Sequence, residues 1–221
     1  MTIYYQDDYV TLYHGDCLSG VPWWLTADVL VTDPPYGMAY ESNMQRNKKI
    51  AKQGRPVAND KTTKARDMAL GLWGDKPSIT FGRWDIERPA GTHTRLIWDK
   101  GNTVGMGDLS IPWGRSEEEI YVSGKGFVGK REGNVIRAQM LMSGDANRPD
   151  HPTPKPVGLM ERLIEKCPPG TIADPFAGSG ATLMAAKNLR RKVIGVELEE
   201  TYCELIAKRC SQEVFDFGLS A

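Results

Sequence analysis

The chain has 221 residues, 40% hydrophobic and 25% charged, which suits one domain with one sizeable core. Lysine and arginine number 28 and aspartate and glutamate 28, so the net charge points to no nucleic-acid partner. Four cysteines without a C-x-x-C pair, and only three histidines, argue against a metal site or a disulfide framework. No apolar run approaches the length of a membrane span, and the opening MTIYYQDD lacks a signal-peptide pattern, so a cytoplasmic protein away from membranes is expected.

Tyr9 to Tyr13 alternates and reads as a strand, with Gly15-Asp16-Cys17 as the turn after it. Asp28 to Thr32 reads as a buried strand. It ends abruptly in Asp33-Pro34-Pro35-Tyr36, where two prolines stop any regular element and leave an acid and a ring around a rigid turn. From Arg46 to Arg66 the chain reads RNKKIAKQGRPVANDKTTKAR, with Asp60 as its only acid. Such a run is a solvated loop, a phosphate-contacting segment, or a loop that orders only on binding. Asp67 to Trp73 fits a short helix running into Gly74. PSITFG, TRLIWDKG and EEEIYVSGKG follow as strands, and Trp98 and Trp113 are expected in the core.

PVGLMERLIEKCPPG predicts a helix with Leu159, Met160, Leu163, Ile164 and Cys167 on one face, stopped by Pro168-Pro169-Gly170. TIADPF is then a strand, ATLMAAKNLRR a helix, KVIGVELEE a strand and TYCELIAKRC a helix, with Cys203 and Cys210 as core residues. This βαβα order predicts parallel strands with helices on both faces. Between strand and helix, Gly178-Ser179-Gly180 lets a ligand approach the backbone. A dinucleotide fingerprint wants a third glycine where Leu183 stands, and no lysine follows the glycines at phosphate-gripping distance. Glu197, ending the next strand, is placed to accept from two ribose hydroxyls. A nucleoside cofactor without phosphates is expected, and S-adenosylmethionine fits.

If the strands ending in DPPY and DPFAGSG are neighbours, Asp33 and the Pro34 carbonyl can accept both hydrogens of an NH2 group while Tyr36 stacks on its ring. With GDC at 15–17, FGRW at 81–84, LIWDKG at 96–101, HPTPKPVGLMERLI at 151–164 and IGVELEETY at 194–202, the chain resembles the permuted, β-class DNA amino-methyltransferases. The resemblance covers nearly the whole sequence. It implies an α/β, Rossmann-like methyltransferase fold: a twisted, mostly parallel sheet with helices on both faces and a circularly permuted motif order. It also implies one methyltransferase domain over 1–221. Segments 1–37 and 67–150 form its catalytic half, target-reading insertions lie at about 38–66 and 101–150, and 151–221 bind the cofactor.

The same resemblance implies direct methyl transfer from S-adenosylmethionine to N6 of a flipped adenine in double-stranded DNA. Asp33, Pro34, Pro35 and Tyr36 would form the catalytic turn. Asp16 and Cys17 would lie at the cofactor's adenine. Asp174, Phe176, Gly178 and Gly180 would line its methionine side, with Thr153 and Lys155 near its carboxylate and Glu197 on its ribose. Each has a plainer alternative: Asp16 a turn residue, Asp174 a turn cap, Lys155 a surface lysine. His151 is read as structural. Arg46, Lys48, Lys49, Lys52 and Arg55 would contact DNA, with a homodimer as an option. N4-methylation of cytosine is the nearest rival, although relatives acting on cytosine more often carry serine at position 33. An RNA or protein-amide methyltransferase, and a dinucleotide oxidoreductase, stand further off.

Overall fold

The computed structural model describes residues 1–35, 62–101, 110–142, 144–145 and 148–212. Its strands are β1 (Thr2–Gln6), β2 (Val10–His14), β3 (Val29–Thr32), β4 (Ser78–Gly82), β5 (Thr94–Asp99), β6 (Glu117–Ser123), β7 (Val135–Arg137), β8 (Ile172–Asp174) and β9 (Val193–Glu197). The α-helices are α1 (Lys64–Trp73), α2 (Val157–Ile164), α3 (Ala181–Asn188) and α4 (Glu200–Ser211), and Trp23–Thr26 forms one 3-10 turn. All strands join one sheet in the order β1-β2-β9-β8-β3-β4-β6-β5-β7. The run β2-β9-β8-β3-β4 is parallel, β6 returns antiparallel to β4, and β5 is antiparallel to β6. The expected α/β sheet, mostly parallel, is therefore present.

β3 explains why its sequence is apolar throughout rather than alternating: helices cover both faces of the sheet there. Val29 and Val31 join the core under α2, α3 and α4, while Leu30 joins Trp24, Ala69 and Trp73 on the other face. Cys167, expected in the same helix, falls in the turn after α2 and is buried with the predicted stripe of Leu159, Met160, Leu163 and Ile164. Each such side chain contributes about 1.5–3 kcal/mol by leaving water. On the opposite face Trp24 and Trp73 stack with centroids 5.9 Å apart, and their indole N–H groups donate to the carbonyls of Cys17 and of Lys76 and Pro77.

Two strands and one tryptophan differ from the sequence reading. β1 is an edge strand with a register irregularity between Ile3 and Tyr5, and its mostly exposed residues carry no alternating signal. β7 is only 3 residues long. Trp113, expected in the core, is 80% exposed because Ile111-Pro112-Trp113-Gly114 joins no element of the sheet. Trp98 is in the core, 1% exposed, with its N–H donating to the Ala138 carbonyl at 2.7 Å. Cys203 and Cys210 are core residues too.

Leu183, which replaces the third glycine of a dinucleotide fingerprint, packs directly over Gly195 of β9. A Cβ on Gly195 would lie 2.7 Å from Leu183 Cδ2. The small residue that close helix–strand contact needs is on the strand instead of the helix. Gly195→Val is expected to destabilise the protein by roughly 1–3 kcal/mol through overpacking against the fully buried Leu183. Urea denaturation checks this, and wild-type stability would show that α3 can lift off β9 freely.

Candidate active site

Parallel strands bring their carboxyl ends to one edge of the sheet, where open α/β sheets bind ligands. Asp16 follows β2, Glu197 ends β9, Asp174 ends β8 and Asp33 follows β3. β6 runs the other way and β5 runs with β4 again, so the start of β6 and the end of β5 reach the same edge. Glu118 pairs in register with Trp98 there, two residues before Lys100.

The Asp33-Pro34-Pro35 turn and the glycine loop meet through side chains. Thr32 Oγ1 donates to Asp174 Oδ1 at 2.7 Å, and the Phe176 N–H donates to the same oxygen at 3.1 Å. Asp174 is therefore a turn cap. It is 2% exposed, and burial pushes its carboxyl up to about 6 against hydrogen bonds from Thr182, Thr32 and Phe176. Pro34 is buried and Pro35 half-buried behind Asp33.

Lys155 is no surface lysine. It is 6% exposed, and its Nζ donates to Asp33 Oδ2 at 2.5 Å. The loop before α2 thus delivers this ammonium to Asp33, while His151 in the same loop lies against Gly178. Glu118 Oε2 stands 3.2 Å from Lys155 Nζ, and Lys100 donates to Glu118 Oε1 at 2.6 Å. Burial raises the Asp33 carboxyl, opposed by Lys155 and reinforced by the charge of Glu118. Burial acts on Glu118 the same way, but two lysines overcome it and hold that carboxyl below its usual range. Asp33 Oδ1 is buried with no hydrogen-bond partner among the described residues.

The glycine loop is tied down on all sides. Gly178 N donates to Glu197 Oε2 at 2.7 Å and Glu199 N to Oε1 at 2.8 Å. Arg209 of α4 donates to the Ser179 carbonyl. Gly178 and Gly180 have φ of 51° and 80°, left-handed values that glycine adopts without strain. Each Glu197 oxygen holds one N–H and keeps further acceptor capacity. Burial pushes its carboxyl up to about 7 against these backbone donors. His151 packs on Tyr202 with centroids 4.8 Å apart, and burial pushes its imidazole down to about 4, which suits a structural residue.

Asp16 does act as a turn residue, its Oδ1 accepting from Leu18 N at 2.9 Å, and it is exposed at the site edge. Cys17 is buried beside Trp24, and its thiol is pushed up to about 12 by burial. Phe176 is half-buried and Thr153 exposed, with Thr153 N donating to His151 Nδ1 at 3.3 Å. Tyr36, Arg46, Lys48, Lys49, Lys52 and Arg55 lie outside the described residues. Sequence reasoning missed Glu118, Lys100 and Thr32. Three successive glutamates at the head of a strand were a signal, since alternation must turn at least one of them inward.

Asp174 and Glu197 hold their protons more tightly folded than unfolded. Their stabilising contribution is complete below the ordinary values of 3.8 and 4.5 and is lost as pH rises through about 6 and about 7. Glu197→Gln is therefore expected to flatten the fall in stability of the ligand-free protein between about 4.5 and about 7. Denaturation at a series of pH values reads this. Parallel curves for the two proteins would show that Glu197 titrates normally.

Comparison with known proteins gives the family. A family profile described as DNA methylase matches residues 59–209. Type II methyltransferase M2.MboI of Moraxella bovis is 37% identical over 241 residues, covering 92% of this chain and 88% of the relative. Putative methylase YubD of Escherichia coli K12 is 28% identical over 214 residues, covering 85% and 84%. Among solved structures, PvuII DNA methyltransferase, described as cytosine-N4-specific, matches with a TM-score of 0.65 at 15% identity, over 97% of this chain and 90% of the other. The complex of M1.HpyAVI with SAM matches with a TM-score of 0.59 at 19% identity, over 90% and 99%. The fold is that of the methyltransferases, and the chain belongs to the N6/N4 family of DNA methylases.

Proposed function

We propose that this DNA methylase moves a methyl group from S-adenosylmethionine to the exocyclic N6 of an adenine that has left the duplex. The observation that carries the reading is Asp33 Oδ1, a buried acceptor without a partner among the described residues, on a proline-stiffened turn beside the glycine loop. An unpaired buried acceptor is costly unless a ligand supplies the donor.

The residues present fit the cofactor. Both Glu197 oxygens can take ribose hydroxyls beyond the N–H groups they already accept. Lys187, the first lysine after the glycines, is engaged by Asp7 and the Cys210 carbonyl, so it grips no phosphate. Asp16, Cys17, Thr153, Lys155, Asp174, Phe176, Gly178 and Gly180 complete the proposed cofactor site. When bound, S-adenosylmethionine supplies an electrophilic methyl on a sulfonium that leaves readily.

The chain's own work is on the base. An adenine amino lone pair is delocalised into the ring. Asp33 and the Pro34 carbonyl, accepting one hydrogen each, return density to nitrogen as positive charge develops. Pro34 and Pro35 hold the acceptors in fixed geometry, and Tyr36 stacks on the flipped base. Asp33 then takes the surplus proton of the methylated amine. Cytosine N4 would meet the same clamp, and the fold shared with a cytosine-N4-specific enzyme does not separate the two. The family's association of Asp at the position of Asp33 with adenine favours N6.

Asp33→Ala is expected to bind cofactor as wild type does in calorimetry, and to lose at least roughly 10²–10³ in methyl-transfer rate. Nucleoside analysis of the tritiated product should find N6-methyladenine. Full activity in this variant, or methylation elsewhere than an exocyclic amine, overturns the reading. We also propose that Arg46, Lys48, Lys49, Lys52 and Arg55 contact DNA phosphate. Charge reversal at Lys48, Lys49 and Lys52 should weaken duplex binding and reduce its salt slope, by about 0.9 per lost phosphate contact. An unaltered slope would make the segment a solvated linker.

A further inference from the structure

The charges around Asp33 are distributed unevenly. Lys155 Nζ is aligned as a hydrogen bond on Asp33 Oδ2 at 2.5 Å. At Glu118 Oε2 it stands 3.2 Å away, within ion-pair range, yet that oxygen has no aligned hydrogen bond among the described residues. Lys100 occupies the other Glu118 oxygen. The rings of Phe81 and Trp98 stand 5.0 and 6.0 Å from Lys155 Nζ, which favours a cation anywhere between the two carboxylates. The ammonium thus bridges two carboxylates, hydrogen-bonded to Asp33 and ion-paired with Glu118 without an aligned hydrogen bond there.

We propose that Lys155 guards Asp33 and that Glu118 is its second seat: the ammonium holds Asp33 in the ligand-free enzyme and shifts to Glu118 Oε2 when the target amino group arrives. Both are positioning residues. The proposal rests on the reading of Asp33 as the acceptor of that amino group.

Two physical requirements lead to it. An Asp33 carboxylate committed to an ammonium has little density to lend a weakly donating amino group. A buried ammonium that drew back from Asp33 would give up a charge-assisted hydrogen bond, which is costly unless a carboxylate beside it takes more of the charge. Glu118 removes the conflict, because the cation exchanges one anion for another and no bond or proton changes hands. Lys100 and Lys155 keep Glu118 ionised and able to receive. The charged groups facing Asp33 are Lys155 before α2, Glu118 on β6, Lys100 after β5 and Asp174 on β8.

Single-turnover methyl transfer by the full chain on duplex DNA, measured across pH, tests this. Lys155→Gln removes the cation that opposes burial, so Asp33 protonates more easily and the acidic limb should move up by about 1–3 units. Glu118→Gln removes a like charge and the second seat. Its acidic limb should move down, its plateau rate should fall on the order of 10²-fold, and calorimetric cofactor affinity should stay unchanged. Lys155→Arg should keep the wild-type limb, and Glu118→Asp should recover part of the rate. Glu118→Gln keeps both lysines and carries the test alone if Lys155→Gln does not fold. A wild-type rate in Glu118→Gln, or limbs that move in the same direction, overturns the proposal. If Asp33→Ala is inactive while those results are found, only the guard is lost; if Asp33→Ala is active, the acceptor reading beneath it is lost.

Discussion

Val29 pairs with Ile172 and Leu30 with Ala173, parallel and side by side, and the arrangement of the whole site depends on that pairing. It sets Asp33 beside Asp174 although they are far apart in the chain. The register is secured at both ends. At the carboxyl end Thr32 reaches across to Asp174. At the amino end Asp28 accepts from Thr171 N, while Arg191 donates to the carbonyls of Ile164, Cys167, Pro168 and Gly170 and fixes the turn entering β8. A slip of one residue would turn Asp174 to the opposite face of the sheet.

The acids gathered at this edge are kept there by different means. Asp174 relies on hydroxyls and one N–H, and Glu197 on backbone N–H groups, so burial dominates and both carboxyls rise. Glu118 sits between two lysines and falls. Neutral donors lower the cost of a buried acid without fixing its charge, whereas cations fix it. The two kinds of environment separate along the sheet. The glycine-loop side uses neutral donors, and the side toward β6 uses lysines.

Much of this was readable from residue order. DPPY and DPFAGSG announced themselves because proline and glycine punctuate strands, and the apolar run of β3 could only belong to a strand covered on both faces. The role of Glu118 was not readable. EEEIYVSG predicts a strand, but which glutamate faces Lys155 depends on β6 returning antiparallel between β4 and β5, a fact of topology. Lys155 was assigned to the cofactor by resemblance, and its contact with Asp33 spans residues far apart in sequence. Trp113 misled because its size suggests burial, while Pro112 and Gly114 beside it keep it out of any element.

The place of β3 in the sheet has a further consequence for how the protein is made. β4 can pair with β3 once residue 82 has emerged, but the opposite edge of β3 stays open until β8 at 172–174 is synthesised. A strand central in the finished molecule therefore keeps an exposed, apolar edge while residues 83–171 are made, the kind of surface on which chains associate wrongly. Pairings over such separations also form slowly. The glycine loop waits longer still, for Arg209 near the end of α4 to secure Ser179. The glycine loop is therefore among the last parts of this fold to be completed.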